Sequence, residues 1–128
     1  MSIEPKKIDP AYGHLKEFSK VGLGTTALLH EMREEVIFKD GAFEAKHKAL
    51  IACLWGIAMR CELCLTYYIL KAKELGITEA EVGEVLAIGS TMGGCVGETW
   101  ALKAYKAFKE GDVSSTECVC DPSSSDKK

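Results

Sequence analysis

At 128 residues, 47% apolar and 27% charged, the chain is long enough to bury a real hydrophobic core without staples and reads as one domain. A net charge of −3 leaves no electrostatic footprint for nucleic acid, and no run of lysines lies along an apolar helix face to meet an anionic membrane surface. The longest apolar run, Ala49–Met59, is 11 residues and falls short of the roughly 20 that a bilayer span requires.

In chain order, a first helix is predicted over Ala11–Lys20, after Pro10. A second covers Thr25–Phe38, with Leu28, Leu29, Met32 and Val36 on one side, and the Lys39–Gly41 stretch "KDG" stops it. The third spans Phe43–Met59 with Leu50, Leu54, Ile57 and Ala58 on one face. The fourth runs from Cys61 to Leu75 and ends at Gly76, a favourable C-terminal stop. Thr78 and Glu81 form a capping box that opens a fifth helix, Glu79–Ser90, striped by Val82, Val85, Leu86 and Gly89. "MGGCVGE" (Met92–Glu98) breaks it, and a last helix, Glu98–Lys109, turns Leu102, Tyr105 and Phe108 inward. No segment alternates apolar and polar residues long enough to argue for a strand, so the fold class is all-α. The helical domain occupies residues 1–111, and 112–128 reads as a flexible polar tail carrying a C-x-C.

"MSIEPKKIDP" has charge but no apolar core behind it, so it is not a secretory signal, and a cytoplasmic location is expected. In that reducing compartment the six cysteines, 53, 61, 64, 95, 118 and 120, do not suggest a static disulfide framework. Close pairs there point to redox chemistry or metal binding.

The pair that matters is in Arg60–Tyr68, "RCELCLTYY". In the first turn of a helix Cys61 and Cys64 share a face, with Cβ atoms about 5–6 Å apart by the general rule, near the ~3.8 Å of a disulfide. A helix N-terminus also lowers a thiol pKa. Three readings stay open from spacing alone: a dithiol/disulfide couple, half of a metal site, or two packed thiols. Tyr68, one turn on from Cys64, sits beside the sulfurs, where a phenol could donate to a thiolate; Tyr67 also lies within reach. As packing aromatics, both need no further role.

The order of pieces in "KHKALIACLWGIAMRCELCLTYYILKAKELGITEAEVGEVLAIGSTMGG" resembles the carboxymuconolactone decarboxylase/alkylhydroperoxidase AhpD-like family. The resemblance covers Lys46–Phe108, about half the chain. It implies an AhpD-like helical bundle of about six helices, homo-oligomers (trimers or hexamers), and thiol peroxidase or disulfide reductase activity. Carried over, Cys64 is the residue that meets peroxide, and Cys61 resolves it as a disulfide and faces a dithiol reductant or reductase protein. Two relay positions depart from the family: Tyr68 stands where its redox members have histidine, and Ala49 where they have glutamate. Such a relay is typically worth about 10²–10⁴-fold in rate, and neither residue can do that work at neutral pH.

Other candidates read as structural. Glu62 is a solvated first-turn carboxylate, Glu98 serves a helix dipole, and His14, His30 and His47 are surface or packed residues. Cys53 is a small core residue, and Cys95 a buried thiol in a tight glycine turn, with an approach to the Cys61–Cys64 pocket as the alternative. Cys118 and Cys120 could pass electrons to the helical pair, complete a four-sulfur zinc site, or stand idle. The leading expectation is a thiol–disulfide oxidoreductase acting on a small hydroperoxide or disulfide with no cofactor beyond its own cysteines. The alternatives are a metal-binding or redox-sensing protein, zinc being the metal, a non-redox lactone decarboxylase relative, and an oligomeric scaffold.

Overall fold

The computed structural model describes residues 9–111; the expected polar tail, with Cys118 and Cys120, lies outside them. Among the described residues there are five α-helices and no strand, so the chain is all-α. The first predicted helix is split. Asp9 caps a 3₁₀ turn, Pro10–His14, by accepting the Ala11 N–H, and α1 (Leu15–Val21) follows directly. α2 is Thr25–Val36, α3 Ala45–Ala58, α4 Glu62–Glu74 and α5 Glu79–Glu110.

The core is made by α3, α4 and α5. α4 supplies the largest share of it, because its sequence is apolar nearly all round: Leu65, Ile69 and Ala72 have no exposed surface, and Leu70 has almost none. Each such large side chain contributes about 1.5–3 kcal/mol through burial. α3 adds Ala49, Leu50, Cys53 and Ile57, and α5 adds Val82, Leu86, Ala101, Ala104 and Phe108.

α5 is 32 residues long but is not a straight rod. Gly94, at φ 60° and ψ −138°, interrupts it in a region open to glycine only. The chain doubles back there, so the far end returns to the start: Tyr105 Oη donates to Glu79 Oε2 at 2.6 Å and Lys109 Nζ to Glu79 Oε1 at 3.2 Å. The Tyr105 hydroxyl first, then Lys109, hold the Glu79 carboxyl below the usual carboxylate range. The seven-residue breaker expected at Met92–Glu98 is thus a single-residue reversal between two helical halves. Leu102, expected inward, is 60% exposed, since the two halves meet along the Gly97, Ala101, Ala104 and Phe108 side instead.

The capping box at the start of α5 is as predicted: Thr78 Oγ1 accepts from Glu81 N–H at 3.1 Å and Glu81 Oε1 accepts from Thr78 N–H at 2.9 Å. Glu81 has a second task, because His47 Nε2 on α3 lies 2.9 Å from its other carboxyl oxygen. That histidine, with the Thr78 N–H after it, pulls the Glu81 carboxyl down to about 2. His47 therefore ties α3 to the first turn of α5, a structural role.

Candidate functional site

The turn between α3 and α4 is a Schellman motif. Cys61 N–H donates to Gly56 O at 2.9 Å and Arg60 N–H to Ile57 O at 3.1 Å, with Arg60 left-handed at φ 56°. The turn after α4 repeats it: Ile77 N–H donates to Ala72 O, Gly76 N–H to Lys73 O, and the left-handed position is Gly76 at φ 100°. One turn places glycine where glycine is favoured and the other places arginine there, at a cost of about 1–2 kcal/mol for an L-residue. Arg60→Gly is accordingly expected to stabilise the fold by about 0.5–1 kcal/mol, the relief of strain exceeding glycine's added unfolded-state entropy. The urea midpoint would rise with unchanged slope; a lower midpoint would mean that the arginine side chain contributes more than its backbone costs.

This turn delivers Cys61 as the N-cap of α4, at φ −101° and ψ 98°, with its sulfur accepting the Cys64 N–H at 3.2 Å. Cys61 and Cys64 are joined by a disulfide across the first helical turn, Cα to Cα 5.2 Å, and both are half-buried. Gly56 on α3 makes room for it. A Cβ there would stand 2.9 Å from Leu65 N and 3.2 Å from Cys64 Cβ.

The other candidates fall as follows. Tyr68 is buried on α4; its ring stacks on Phe38 at 6.0 Å between centroids and meets Tyr67 edge-on at 5.0 Å. Ala49 is fully buried in α3. Glu62 is exposed in the first turn of α4. Cys53 is fully buried, and burial pushes its thiol up to about 12, which makes it an inert core residue as expected. Cys95 differs from expectation: it follows Gly94 at the outer edge of the reversal and is exposed rather than buried. Gly93 and Gly94 at the turn are themselves exposed, and the first buried residue after it is Gly97, which leaves the cysteine on the outside. Among the described residues no group of three or more His, Cys, Asp or Glu side chains is placed to hold a metal ion.

Sequence reading missed the groove next to this turn. A cavity of about 670 Å³ opens between α3 and the reversal of α5, lined by apolar side chains that include Ile51, Trp55, Ile88, Met92 and Val96. Among the described residues, Arg60 is the one charged residue lining it. The signal was present in the exposed i, i+4 repeat of Ile51, Trp55 and Met59, which runs along α3 beside the predicted core stripe, whose own Leu54, Ile57 and Ala58 also line the groove.

The family model of the carboxymuconolactone decarboxylase family matches residues 24–107, well over half the chain. The chain belongs to the carboxymuconolactone decarboxylase family. Its structure is similar to that of apo-lpg0406, a carboxymuconolactone decarboxylase family protein from Legionella pneumophila, with a TM-score of 0.66 and 26% identity over 77% of this chain and 95% of that one. An uncharacterized protein of Cupriavidus necator is 34% identical over 70 residues. That match takes in 55% of this chain and spans 62% of the relative's length. In this family member no helix among the described residues is long and apolar enough to cross a membrane.

Proposed function

We propose that this carboxymuconolactone decarboxylase family member is an AhpD-like thiol–disulfide oxidoreductase that reduces a hydroperoxide or a disulfide at the expense of a dithiol. The observation that carries the reading is the Cys61–Cys64 disulfide across the first turn of α4. With a hydroperoxide, the thiolate of one cysteine attacks the terminal oxygen, the O–O bond breaks, and the alkoxide takes a proton and leaves as alcohol. The sulfenic acid formed is attacked by the second cysteine, which closes the disulfide and releases water. Two electrons pass from the sulfurs to the peroxide, and an external dithiol returns them by exchange, itself becoming a disulfide.

The resemblance gives the attack on peroxide to Cys64. The N-cap favours a second assignment, since the hydrogen bond from Cys64 N–H and the helix dipole both stabilise a thiolate at Cys61. A reductant attacking Cys64 would then expel Cys61 as the better leaving group.

Peptide mapping by mass spectrometry on the reduced protein, before and after one equivalent of hydroperoxide, tests the function, with metal content read from the same sample. A metal-free sample that forms the Cys61–Cys64 disulfide is expected, whereas bound zinc with cysteines that resist oxidation would replace the redox reading with a metal site. Cys61→Ser and Cys64→Ser separate the two assignments: the variant that still forms a trappable sulfenic acid retains the attacking cysteine.

A further inference from the structure

α2 is inside out. Its Thr26 is buried and His30 and Arg33 are half-buried, so the polar side of the helix is the covered one. Leu28, Leu29, Met32 and Val36, the apolar side, are between 41% and 60% exposed. On α1, Phe18 and Val21 are exposed as well. The 3₁₀ turn, α1 and α2 pack in sequence on one another and make no substantial helix-to-helix contact with α3–α5. An arm of this kind does not hold itself: a 12-residue helix is marginal in water, and most helical stability comes from packing the apolar face. Phe38, stacked on Tyr68 and edge-on to Tyr67, pins the far end of the arm to the core but leaves the stripe open.

The same chain carries an open apolar groove, with Ile51, Trp55, Ile88, Met92 and Val96 each 50–82% exposed at its walls. Two such surfaces on one small domain exceed what a soluble monomer ordinarily shows. Their charges are complementary. Glu31, Glu34 and Glu35 against Arg33 make α2 net acidic, while Arg60 is the one charge among the described residues lining the groove, kept in a backbone conformation that favours glycine.

We propose that the α1–α2 arm of one copy docks its Leu28–Met32–Val36 stripe into the Trp55–Met92 groove of another. Assembly alone, which the family resemblance implies, does not say which surfaces meet; the exposed faces do. The contact is heterologous, arm to groove, and closes either reciprocally in a pair or head-to-tail around a ring. It is independent of the redox reading, since neither cysteine of the pair belongs to either surface.

Sedimentation of the full chain tests it, using an arm variant (Leu28→Asp with Met32→Asp) and a groove variant (Trp55→Asp with Met92→Asp). The wild type is expected to associate and each variant to sediment as a monomer. An equal mixture of the two is expected to recover a hetero-associated species, because one wild-type arm then meets one wild-type groove. A groove-to-groove interface would leave the arm variant associated, an arm-to-arm interface would leave the groove variant associated, and a groove reserved for a small ligand would leave the wild type monomeric. Any of these overturns the proposal, as does a mixture that stays monomeric while both variants keep the helical circular dichroism of α3–α5. Should a variant fail to fold, hydrogen exchange of the wild type across a dilution series decides: amides of α2 must lose protection together with those lining the groove, and unchanged protection refutes the contact.

Discussion

Gly97→Ala is expected to cost about 3 kcal/mol or more, at or beyond the upper end for overpacking, and to lower Tm by more than about 10 °C. The two halves of α5 cross at Gly89 and Gly97, and a Cβ on Gly97 would collide with the Gly89 carbonyl oxygen. The obstructing atom is backbone, so no rotamer change relieves the clash. The halves would have to part, and Glu79 would lose its ties to Tyr105 and Lys109 at the other end. Gly93→Ala is the control, because a Cβ there meets nothing within 4 Å. Thermal unfolding of both variants checks the claim; equal melting temperatures would mean that the halves are not in contact at Gly97.

What was legible in the sequence was local. The Thr78–Glu81 capping box, the stop at Gly76 and the helical start at the C-x-x-C each rest on the chemistry of two or three neighbouring residues, and each is where the sequence put it. What was not legible depends on how elements meet. "MGGCVGE" shows that α5 is interrupted, but not that a single glycine reverses the chain, nor that the reversal turns Leu102 and Cys95 outward. The stripe on α2 is plain from its spacing, yet periodicity carries no sign, and the stripe faces away from the core of its own chain. Arg60 defied reading altogether, since a left-handed C-terminal cap is recognised by glycine or asparagine. At the candidate site, the pair and its helical start were visible, whereas the groove beside it and the room made by Gly56 were not.

Gly56→Ala is expected to damage the site more than the fold. The new methyl would press on Leu65 N and Cys64 Cβ at about van der Waals overlap, and α4 must slide away from α3 to admit it. Overpacking of this kind costs about 1–3 kcal/mol, which a core built on Leu50, Leu65 and Ile69 can tolerate. The cysteines have less latitude. Cys61 is held by its N–H to Gly56 O, while Cys64 is carried by the helix that moves, so the shift falls between the two sulfurs. A displacement of about 1 Å in a reacting pair can cost roughly 10²-fold in rate. Disulfide closure after one equivalent of oxidant is therefore expected to slow by about that factor, while far-UV circular dichroism stays native and Tm drops by about 4–8 °C for each kcal/mol lost. A variant that closes the disulfide at the wild-type rate would show that Gly56 serves only helix packing, and that the pair is positioned by the Arg60 turn alone.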